Sequence, residues 1–295
     1  MRARFITPAL TLLKYDGTPD KAKNSELLNR LAGEGVDAIA VLGSSGEFCH
    51  FSADEKKEVL ETAAEAVGGK TKLIAGTGAM TVEETLEMAD YAGRLGFSDI
   101  LLVCPYYFKV SDESLFAYYD AIATQVKSNI YIYNYPDRTG NDISPKITQR
   151  LVKKHSNIVG YKDTVASVSH TRELIKSMSE FPNFEIYAGF EDNFTATVLS
   201  GGAGCVGGLS NIDSKPLLEL REALKSNDLE RVAKAQQEID VLVKFYDISV
   251  PFIPAAKYAL MLMGQADSEK CAFPIAELST EQKKMVRKFV EDRKL

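Results

Sequence analysis

Cysteine, histidine, clustered positive charge and long apolar runs are all scarce in this sequence. The 295 residues include only four cysteines, none in a Cys-x-x-Cys pair, which favours reduced thiols and a cytoplasmic location. The formal net charge is −6, and no cluster of Lys and Arg marks a face that could follow a phosphate backbone, so no nucleic-acid partner is expected. No apolar run approaches the roughly 20 residues that cross a bilayer, so no membrane association is expected either.

Signals for metal ions and cofactors are also missing. No group of His, Asp, Glu and Cys residues has the spacing of metal ligands, so no metal is expected. The segment Gly68–Thr71 imitates the end of a phosphate-binding loop, but Ala64 stands where the first glycine should be, and the segment precedes a strand. We therefore expect a protein that binds a small molecule and needs no cofactor.

Strand-like and helix-like segments alternate through the first two thirds of the chain, whose composition is that of an ordinary globular protein. Helices are predicted to begin after Ser52 and Thr81, each an N-cap followed by acidic residues. Strands are predicted at 5–13, 36–42, 72–75, 100–104, 130–133, 158–162, 184–188 and 205–206. Eight β/α units predict an α/β protein with a (β/α)8 TIM barrel, and an open doubly wound sheet is the alternative.

Four more helices are predicted after the last strand, which is more than one barrel needs. They span 216–224, 229–245, 251–263 and 280–293. We therefore divide the chain into a barrel core, 1–212, and a C-terminal helical extension, 213–295, packed on the barrel as part of a single structural unit. The extension could cover the flank of the barrel or build an oligomer interface.

Polar residues and glycines follow the predicted strands at their carboxyl ends, where TIM barrels carry their active sites. They are Gly43–Phe48, Gly76–Gly78, Pro105–Tyr107, Tyr133–Pro136, Lys162–Thr164, Gly189–Asp192 and Gly207–Asn211. Because these ends meet at one mouth, their hydroxyls, their glycines and a single lysine are predicted to converge there.

Lys162 ends a β-branched run that a sheet would bury. A buried ammonium is costly, so the pKa of this lysine is expected to fall well below the free value of about 10.4. An uncharged amine is a nucleophile, and in a barrel mouth its commonest use is a Schiff base with a carbonyl substrate. Taken alone, the segment also allows a strand-end lysine that simply reaches solvent.

Tyrosine and serine are the candidate partners of this amine. The chain has only three histidines, and none belongs to the strand-end set. Tyr133 is then the best candidate for an acid or base, although a tyrosine there can also be a core aromatic. Gly43–Gly46 is either a tight turn or a loop in which the hydroxyls and amides of Ser44 and Ser45 hold a carboxylate. Glu47 is interpreted as a structural carboxylate.

Four of these segments together resemble the pyruvate-dependent class I aldolases, a family that includes dihydrodipicolinate synthase, N-acetylneuraminate lyase and 2-keto-3-deoxygluconate aldolase. They are Gly43–Glu47, Pro105–Tyr107, Tyr133–Pro136 and Gly160–Thr164, and the likeness extends over nearly the whole chain. The resemblance implies a carbon–carbon lyase that works without a cofactor and assembles as a homotetramer, a dimer of dimers.

The resemblance also implies roles for individual residues. Lys162 would form the Schiff base, and Tyr133 would shuttle the proton. Ser44 would relay between tyrosines, and Tyr107 would come from a neighbouring subunit. The implied substrate-binding residues are Ser45, Arg138, Thr164, Gly189 and Ser210.

Within this family the sequence is most similar to bacterial aldolases that cleave 2-keto-3-deoxy sugar acids to pyruvate and an aldehyde, or run the reverse aldol addition. Arg138 favours the alternative, a 4-hydroxy-tetrahydrodipicolinate synthase, because it resembles the arginine with which the synthase holds the carboxylate of aspartate semialdehyde. Gly208 argues against N-acetylneuraminate lyase, which tends to have serine there. A non-catalytic barrel that senses 2-keto acids is the alternative from another class.

Overall fold

The computed structural model describes all 295 residues and contains a closed barrel of eight parallel strands. Each strand pairs with its neighbours in sequence order, and the first strand closes the barrel against the last. The strands are β1 Arg4–Pro8, β2 Ala38–Val41, β3 Lys72–Gly76, β4 Asp99–Val103, β5 Asn129–Asn134, β6 Ile158–Asp163, β7 Glu185–Ala188 and β8 Gly204–Val206. The predicted (β/α)8 TIM barrel is confirmed.

Eight helices lie between β1 and β8, two of them between β5 and β6, and four more follow β8 and form the C-terminal extension. They are α1 Lys21–Glu34, α2 Ala53–Val67, α3 Val82–Arg94, α4 Asp112–Ala123, α5 Pro136–Thr139, α6 Pro145–Lys154, α7 Val168–Ser177, α8 Phe194–Leu199, α9 Lys215–Ser226, α10 Leu229–Leu242, α11 Ile253–Leu262 and α12 Thr280–Arg293. Ser52 caps α2 with a reciprocal bond to Glu55, and the Thr81 hydroxyl accepts from the first turn of α3, as predicted. No helix combines the length and the hydropathy that a membrane span requires.

The first strand is shorter than its apolar run predicts. The run was expected to be a strand over 5–13, but β1 ends at Pro8. Beyond that point the backbone N–H of Leu10 donates to the Asn211 side chain at 3.0 Å, and that of Leu12 donates to the Asn24 side chain at 2.8 Å. The side-chain amides of Asn211 and Asn24 thus take the place of a neighbouring strand as hydrogen-bond partners. The chain can therefore leave the barrel while its apolar side chains stay buried.

Two separate apolar layers hold the barrel together. The larger one lies between the strands and the surrounding helices, and the smaller one fills the barrel interior. The interior layer consists of Ile6, Ala38, Ala40, Ile74, Leu101, Val103, Tyr131, Tyr133, Tyr187, Ala203 and Val206. Side chains alternate between the two layers because successive residues of a strand point to opposite faces. This alternation decides which strand-end residues can face the mouth of the barrel.

The C-terminal extension packs back on the barrel. Helix α9 lies beside β1 and α8, α10 packs on α9, and α11 packs on α12. Arg293, the last residue of α12, forms a largely buried ion pair with Asp213 at 2.7 Å, which joins the end of the extension to its beginning.

Candidate active site

Lys162 lies inside the mouth of the barrel, near the end of β6. Its side chain is only 6% exposed, and Nζ lies 4.2 Å from the centre of the Tyr133 ring on β5. The two residues are paired in the β5–β6 register. Gly160, two residues before Lys162 on the same face of β6, leaves room for the Tyr131 ring, because a Cβ at position 160 would come within 2.5 Å of it. The sequence of β6 therefore places an amine over an aromatic face.

No anionic group neutralises the Lys162 amine. No carboxylate oxygen lies within 4.0 Å of Nζ, and Nζ makes no hydrogen bond with the protein. Lysines that are buried for structural reasons are normally paired, as Lys257 is with Glu47 elsewhere in this chain. A nearly buried amine without such a partner is available to react with a bound carbonyl group.

Tyr133 and Ser44 form a short hydroxyl relay beside this amine. The Tyr133 hydroxyl and Ser44 Oγ share a hydrogen bond of 3.1 Å. Ser44 stands in the loop after β2, and this loop is tightly turned, because Leu42 and Glu47 both adopt left-handed backbone angles, with φ of 55° and 57°. Thr11 Oγ1 donates to the Gly46 carbonyl at 2.9 Å and anchors the loop from below. A phenol and a hydroxyl in contact can pass a proton to or from a group bound near Nζ.

The amine and the relay open into a cavity of about 230 Å³. Its wall combines ends of several strands with a segment of the C-terminal extension. The lining residues are Pro8, Ser44, Ser45, Tyr133, Tyr135, Arg138, Lys162, Thr164, Gly189, Phe190, Val206, Gly208, Tyr246, Ser249, Val250, Pro251, Phe252 and Ile253. A more open and mainly apolar cavity of about 520 Å³ adjoins it and shares Ser44, Tyr135 and Arg138.

Seven of the nine site residues predicted from the sequence meet in this cavity. They are Ser44, Ser45, Tyr133, Arg138, Lys162, Thr164 and Gly189. Gly189 must be glycine, because a Cβ would come within 2.7 Å of Thr164 Cβ. The Thr164 hydroxyl is buried beside Gly189 and has no hydrogen-bond partner in the protein.

The structure does not bring Ser210 and Tyr107 to the cavity of their own chain. Ser210 is fully buried, and its hydroxyl bonds to the Gly207 carbonyl at 2.8 Å and to the Thr7 hydroxyl at 2.9 Å. Tyr107 lies on the surface, 84% exposed, with a left-handed φ of 82° and its ring packed edge-on against Phe108.

Several lining residues were not singled out as site residues in the sequence. Tyr135 stacks near Tyr133, with ring centres 6.2 Å apart, and the Arg138 guanidinium lies 5.1 Å from the centre of the Tyr135 ring. Tyr135 follows β5 within a segment already noted, so its position could have been anticipated. Tyr246 and Phe252 belong to the extension, where no rule about strand ends applies, and nothing in the local sequence marks them.

A buried carboxyl group stands behind the far wall of the cavity. The Tyr246 hydroxyl contacts both carboxyl oxygens of Glu191 at 2.9 Å, and the Leu209 N–H donates to the same group. Burial raises the pKa of Glu191 and that of Tyr246. No Asp or Glu lines the cavity, and Arg138 has no carboxylate within 4.0 Å, so its guanidinium suits an anionic ligand.

No group of three His, Cys, Asp or Glu side chains is arranged to hold a metal ion. The chemistry that can be assigned from the described residues is that of an amine, a phenol, hydroxyls and an arginine. Together they can form an imine with a keto acid, hold its carboxylate and move a proton.

Comparison with known proteins gives a family match over nearly the whole chain. The model of the dihydrodipicolinate synthetase family matches residues 1–293. The putative 2-dehydro-3-deoxy-D-gluconate aldolase YagE of Escherichia coli K12 is 31% identical over 292 residues, covering 99% of this chain and 97% of that protein. The 4-hydroxy-tetrahydrodipicolinate synthase of Kosmotoga olearia is 33% identical over 259 residues, covering 88% and 87%.

A third relative and two solved structures agree with this match. The probable 2-dehydro-3-deoxy-D-pentonate aldolase YjhH of Escherichia coli K12 is 32% identical over 283 residues, covering 96% of this chain and 94% of that protein. The crystal structure of YagE in complex with pyruvate has a TM-score of 0.95 at 31% identity, with 99% of both chains covered. The dihydrodipicolinate synthase of Aquifex aeolicus has a TM-score of 0.93 at 26% identity, covering 100% and 99%.

Proposed function

The chain belongs to the dihydrodipicolinate synthetase family and is a carbon–carbon lyase; from that premise we propose that it cleaves a 2-keto-3-deoxy sugar acid through an imine on Lys162. The products are pyruvate and an aldehyde, and the reverse reaction is their aldol addition. The observation that carries the proposal is a nearly buried lysine without an anionic partner, beside a tyrosine that is hydrogen-bonded to a serine. The names of YagE and YjhH, and the pyruvate bound in YagE crystals, support this substrate class.

Imine formation is the first step of the proposed reaction. The Lys162 amine attacks the C2 ketone, and the Tyr133 hydroxyl gives its proton to the hydroxyl of the resulting carbinolamine, which leaves as water. Ser44 and Ser45 hold the C1 carboxylate through their hydroxyls and backbone amides. Nζ lies over the Tyr133 ring, so the hydroxyl that gives up or receives the proton is close to the reacting carbon.

Cleavage of the C3–C4 bond follows in the same position. Tyr133, which became a phenolate when it protonated the departing water and is stabilised by the hydrogen bond with Ser44, takes the proton of the C4 hydroxyl as the bond breaks. The iminium accepts the bonding electrons and becomes an enamine, and the aldehyde leaves. Tyr133 then returns this proton to C3 of the enamine, and hydrolysis of the imine by water releases pyruvate and restores the amine.

The hydroxylated tail of the substrate is proposed to lie along the wall formed by Thr164, Gly189 and Arg138. The Thr164 hydroxyl has no hydrogen-bond partner in the protein, and Gly189 makes room for it, because a Cβ at position 189 would come within 2.0 Å of Thr164 Oγ1. Arg138 stands where the two cavities meet and binds anionic or hydroxylated groups. Ser210 is proposed to support the wall through the Gly207 carbonyl, because its hydroxyl is already engaged.

Tyr107 is proposed to enter the cavity of a neighbouring subunit within a homotetramer, a dimer of dimers. Its exposure, together with that of Phe108, leaves an aromatic pair on the surface that a second copy can cover. Sedimentation velocity of the wild type and of Tyr107→Phe tests this. A tetramer whose turnover is slowed by the substitution supports it, and a fully active monomer contradicts it.

Borohydride trapping tests the lysine mechanism directly. Sodium borohydride added with pyruvate is expected to leave a permanent adduct that peptide mapping locates on Lys162. Lys162→Ala should abolish both adduct and turnover, whereas Lys146→Ala, at an exposed position away from the cavity, should change neither. An unmodified wild-type protein would remove the Schiff-base mechanism.

A synthase is the second candidate, and Arg138 is the observation that favours it. The guanidinium lies at the cavity wall without a carboxylate partner, where it could bind the carboxylate of aspartate semialdehyde. The two functions are separated by assaying cleavage of 2-keto-3-deoxygluconate against condensation of pyruvate with aspartate semialdehyde. Turnover of the sugar acid alone supports the aldolase, and turnover of the semialdehyde alone makes the chain a synthase.

A further inference from the structure

A buried polar cluster lies directly behind the candidate catalytic pair. The register of β5 and β6 places Tyr133 opposite Lys162 and, one residue on, Asn134 opposite Asp163. Because successive side chains point to opposite faces, the first pair faces the cavity and the second pair faces the helices. Asn134 Nδ2 donates to Asp163 Oδ1 at 3.2 Å, so the outer pair is itself hydrogen-bonded.

His170, in the first turn of α7, joins this outer pair to the loop that follows α5. Its Nδ1 lies 2.9 Å from Asp163 Oδ2, and its Nε2 lies 3.3 Å from Asp142 Oδ2. Asp142 also accepts from Asn134 Nδ2 at 2.9 Å, and Thr171 donates to Asp163 at 2.7 Å. With a carboxylate oxygen at each ring nitrogen, the imidazole can donate both bonds only when it is protonated.

The charged groups that face His170 are both anionic. They are Asp142 from the loop before α6 and Asp163 from β6, while its own helix contributes the neutral Thr171. The hydrogen bond to Asp142 and then the one to Asp163 raise the pKa of His170 to about 10. The same contact lowers the pKa of Asp142. His170 is therefore a cation at neutral pH, held between two anions.

We propose that His170 is a positioning residue for the lyase reaction: as an imidazolium it ties the carboxyl ends of β5 and β6 together and so sets the position of the Lys162 amine relative to the Tyr133 hydroxyl. The inference rests on the proposed function. Asp163 is the residue after Lys162, and Asn134 is the residue after Tyr133, so a shift of the outer pair moves the inner pair with it.

Loss of the cation has a specific consequence here. Without it, Asp142 and the fully buried Asp163 face each other as like charges bridged only by Asn134. Their repulsion would part the loop from β6 and disturb α5, which directly precedes this loop and contains Arg138, with Tyr135 at its N-terminus. Proton transfer in the cavity requires close contact, so the rate of bond cleavage is expected to fall more than the binding of pyruvate.

The test compares His170→Gln with His155→Gln. His155 is also paired with an aspartate, its Nε2 lying 2.6 Å from Asp120 Oδ1, but this pair lies outside both cavities. His170→Gln is expected to lower kcat at least tenfold with little change in KM, while the imine trapped by borohydride at saturating pyruvate stays near the wild-type amount. His155→Gln should keep the wild-type kcat.

A second substitution separates positioning from simple loss of structure. Adding Asp142→Asn to His170→Gln removes one of the two opposed carboxylate charges, so the double variant should have a kcat at least threefold higher than that of His170→Gln. This gain is expected even though the double variant has lost one more charged group of the native protein. Asp142→Asn alone, at a half-exposed position, removes the charged partner of His170 Nε2 and should lower kcat, though by less than His170→Gln does. If His170→Gln does not fold, an unchanged kcat in Asp142→Asn contradicts the inference.

The outcomes are distinct. If the wild type traps pyruvate and His170→Gln keeps its kcat, or if His155→Gln loses as much, the inference about His170 is wrong while the proposed function stands. If adding Asp142→Asn does not raise the kcat of His170→Gln, the charge argument is wrong. If the wild type traps no pyruvate, the proposed function itself fails.

Discussion

Removal of the buried ammonium of Lys257 is the most severe test of how the extension supports the site. Lys257, on α11, lies 2.5 Å from Glu47 Oε1, and both side chains are completely buried. Its Nζ also donates to the Lys270 carbonyl at 2.9 Å, and Glu47 Oε2 accepts from the Ala272 N–H at 2.7 Å. Glu47 ends the loop that carries Ser44, so this pair joins the cavity to the C-terminal extension.

The magnitude follows from what each substitution leaves behind. Lys257→Met leaves the Glu47 carboxylate buried beside an apolar side chain, which costs about 3–5 kcal/mol of the free energy of unfolding. Adding Glu47→Gln removes the uncompensated charge and keeps an acceptor for the Ala272 N–H, so the double variant should regain about 2 kcal/mol. Glu47→Gln alone leaves a buried ammonium and should cost as much as Lys257→Met.

Urea unfolding at a fixed protein concentration measures these differences, because the concentration of an oligomer affects its apparent stability. We propose that residues 1–212 and 213–295 form one structural unit, so both single variants should unfold in one transition, and their KM for pyruvate should rise as the loop loosens. A Lys257→Met variant within 1 kcal/mol of wild type would refute the reasoning. A separate early transition of the extension would refute the single unit.

Three further predictions concern single groups at or near the cavity. Tyr133→Phe keeps the ring under Nζ but loses the hydroxyl, so steady-state kinetics should show kcat reduced about 10²–10⁴-fold while circular dichroism shows an unchanged fold. Gly189→Ala places a methyl group against Thr164, and urea unfolding should show a loss of about 1–3 kcal/mol together with weaker binding of the sugar acid. In the folded protein the pKa of His170 is raised to about 10, so the free energy with which the charged imidazole stabilises the fold is complete below pH 6.5 and disappears as the pH approaches 10. Urea unfolding at pH 7 and at pH 10 should therefore show that the free energy of unfolding of the wild type falls by about 2 kcal/mol more than that of His170→Gln.

The barrel and the inward direction of its key lysine follow from short-range rules. Alternating apolar runs and helical segments predict eight β/α units, and the carboxyl ends of the strands then collect the polar residues. Tyr133 and Lys162 meet because β5 and β6 are neighbours in register. The end of β1 could not be predicted in this way, because the backbone N–H groups of Leu10 and Leu12 bond to the side chains of Asn211 and Asn24 and not to a neighbouring strand.

Membership of a strand-end segment does not decide which way a side chain points. Ser210 and Thr164 both follow a strand and both carry a hydroxyl, yet the Ser210 hydroxyl bonds to Thr7 and Gly207, whereas that of Thr164 is left without a partner at the cavity wall. The difference depends on the three-residue β8 and the turn after it, whose geometry cannot be read from apolar periodicity. Tyr107 differs for a similar reason, since its left-handed backbone turns the ring outward.

The far wall of the cavity shows why part of the site is invisible in the local sequence. A Cβ on Gly208 would come within 2.9 Å of the Phe252 ring and 3.3 Å of the Tyr246 hydroxyl. The size of the residue at position 208, just after β8, is thus limited by Tyr246 and Phe252 of the extension. The buried Glu191 holds Tyr246 in place through hydrogen bonds to its hydroxyl. A residue larger than glycine at position 208 requires a smaller residue at 252, so the length of tail that the cavity admits depends on the barrel and the extension together. Selectivity among aldehydes should therefore change with substitutions in the extension even when Lys162 and Tyr133 are untouched.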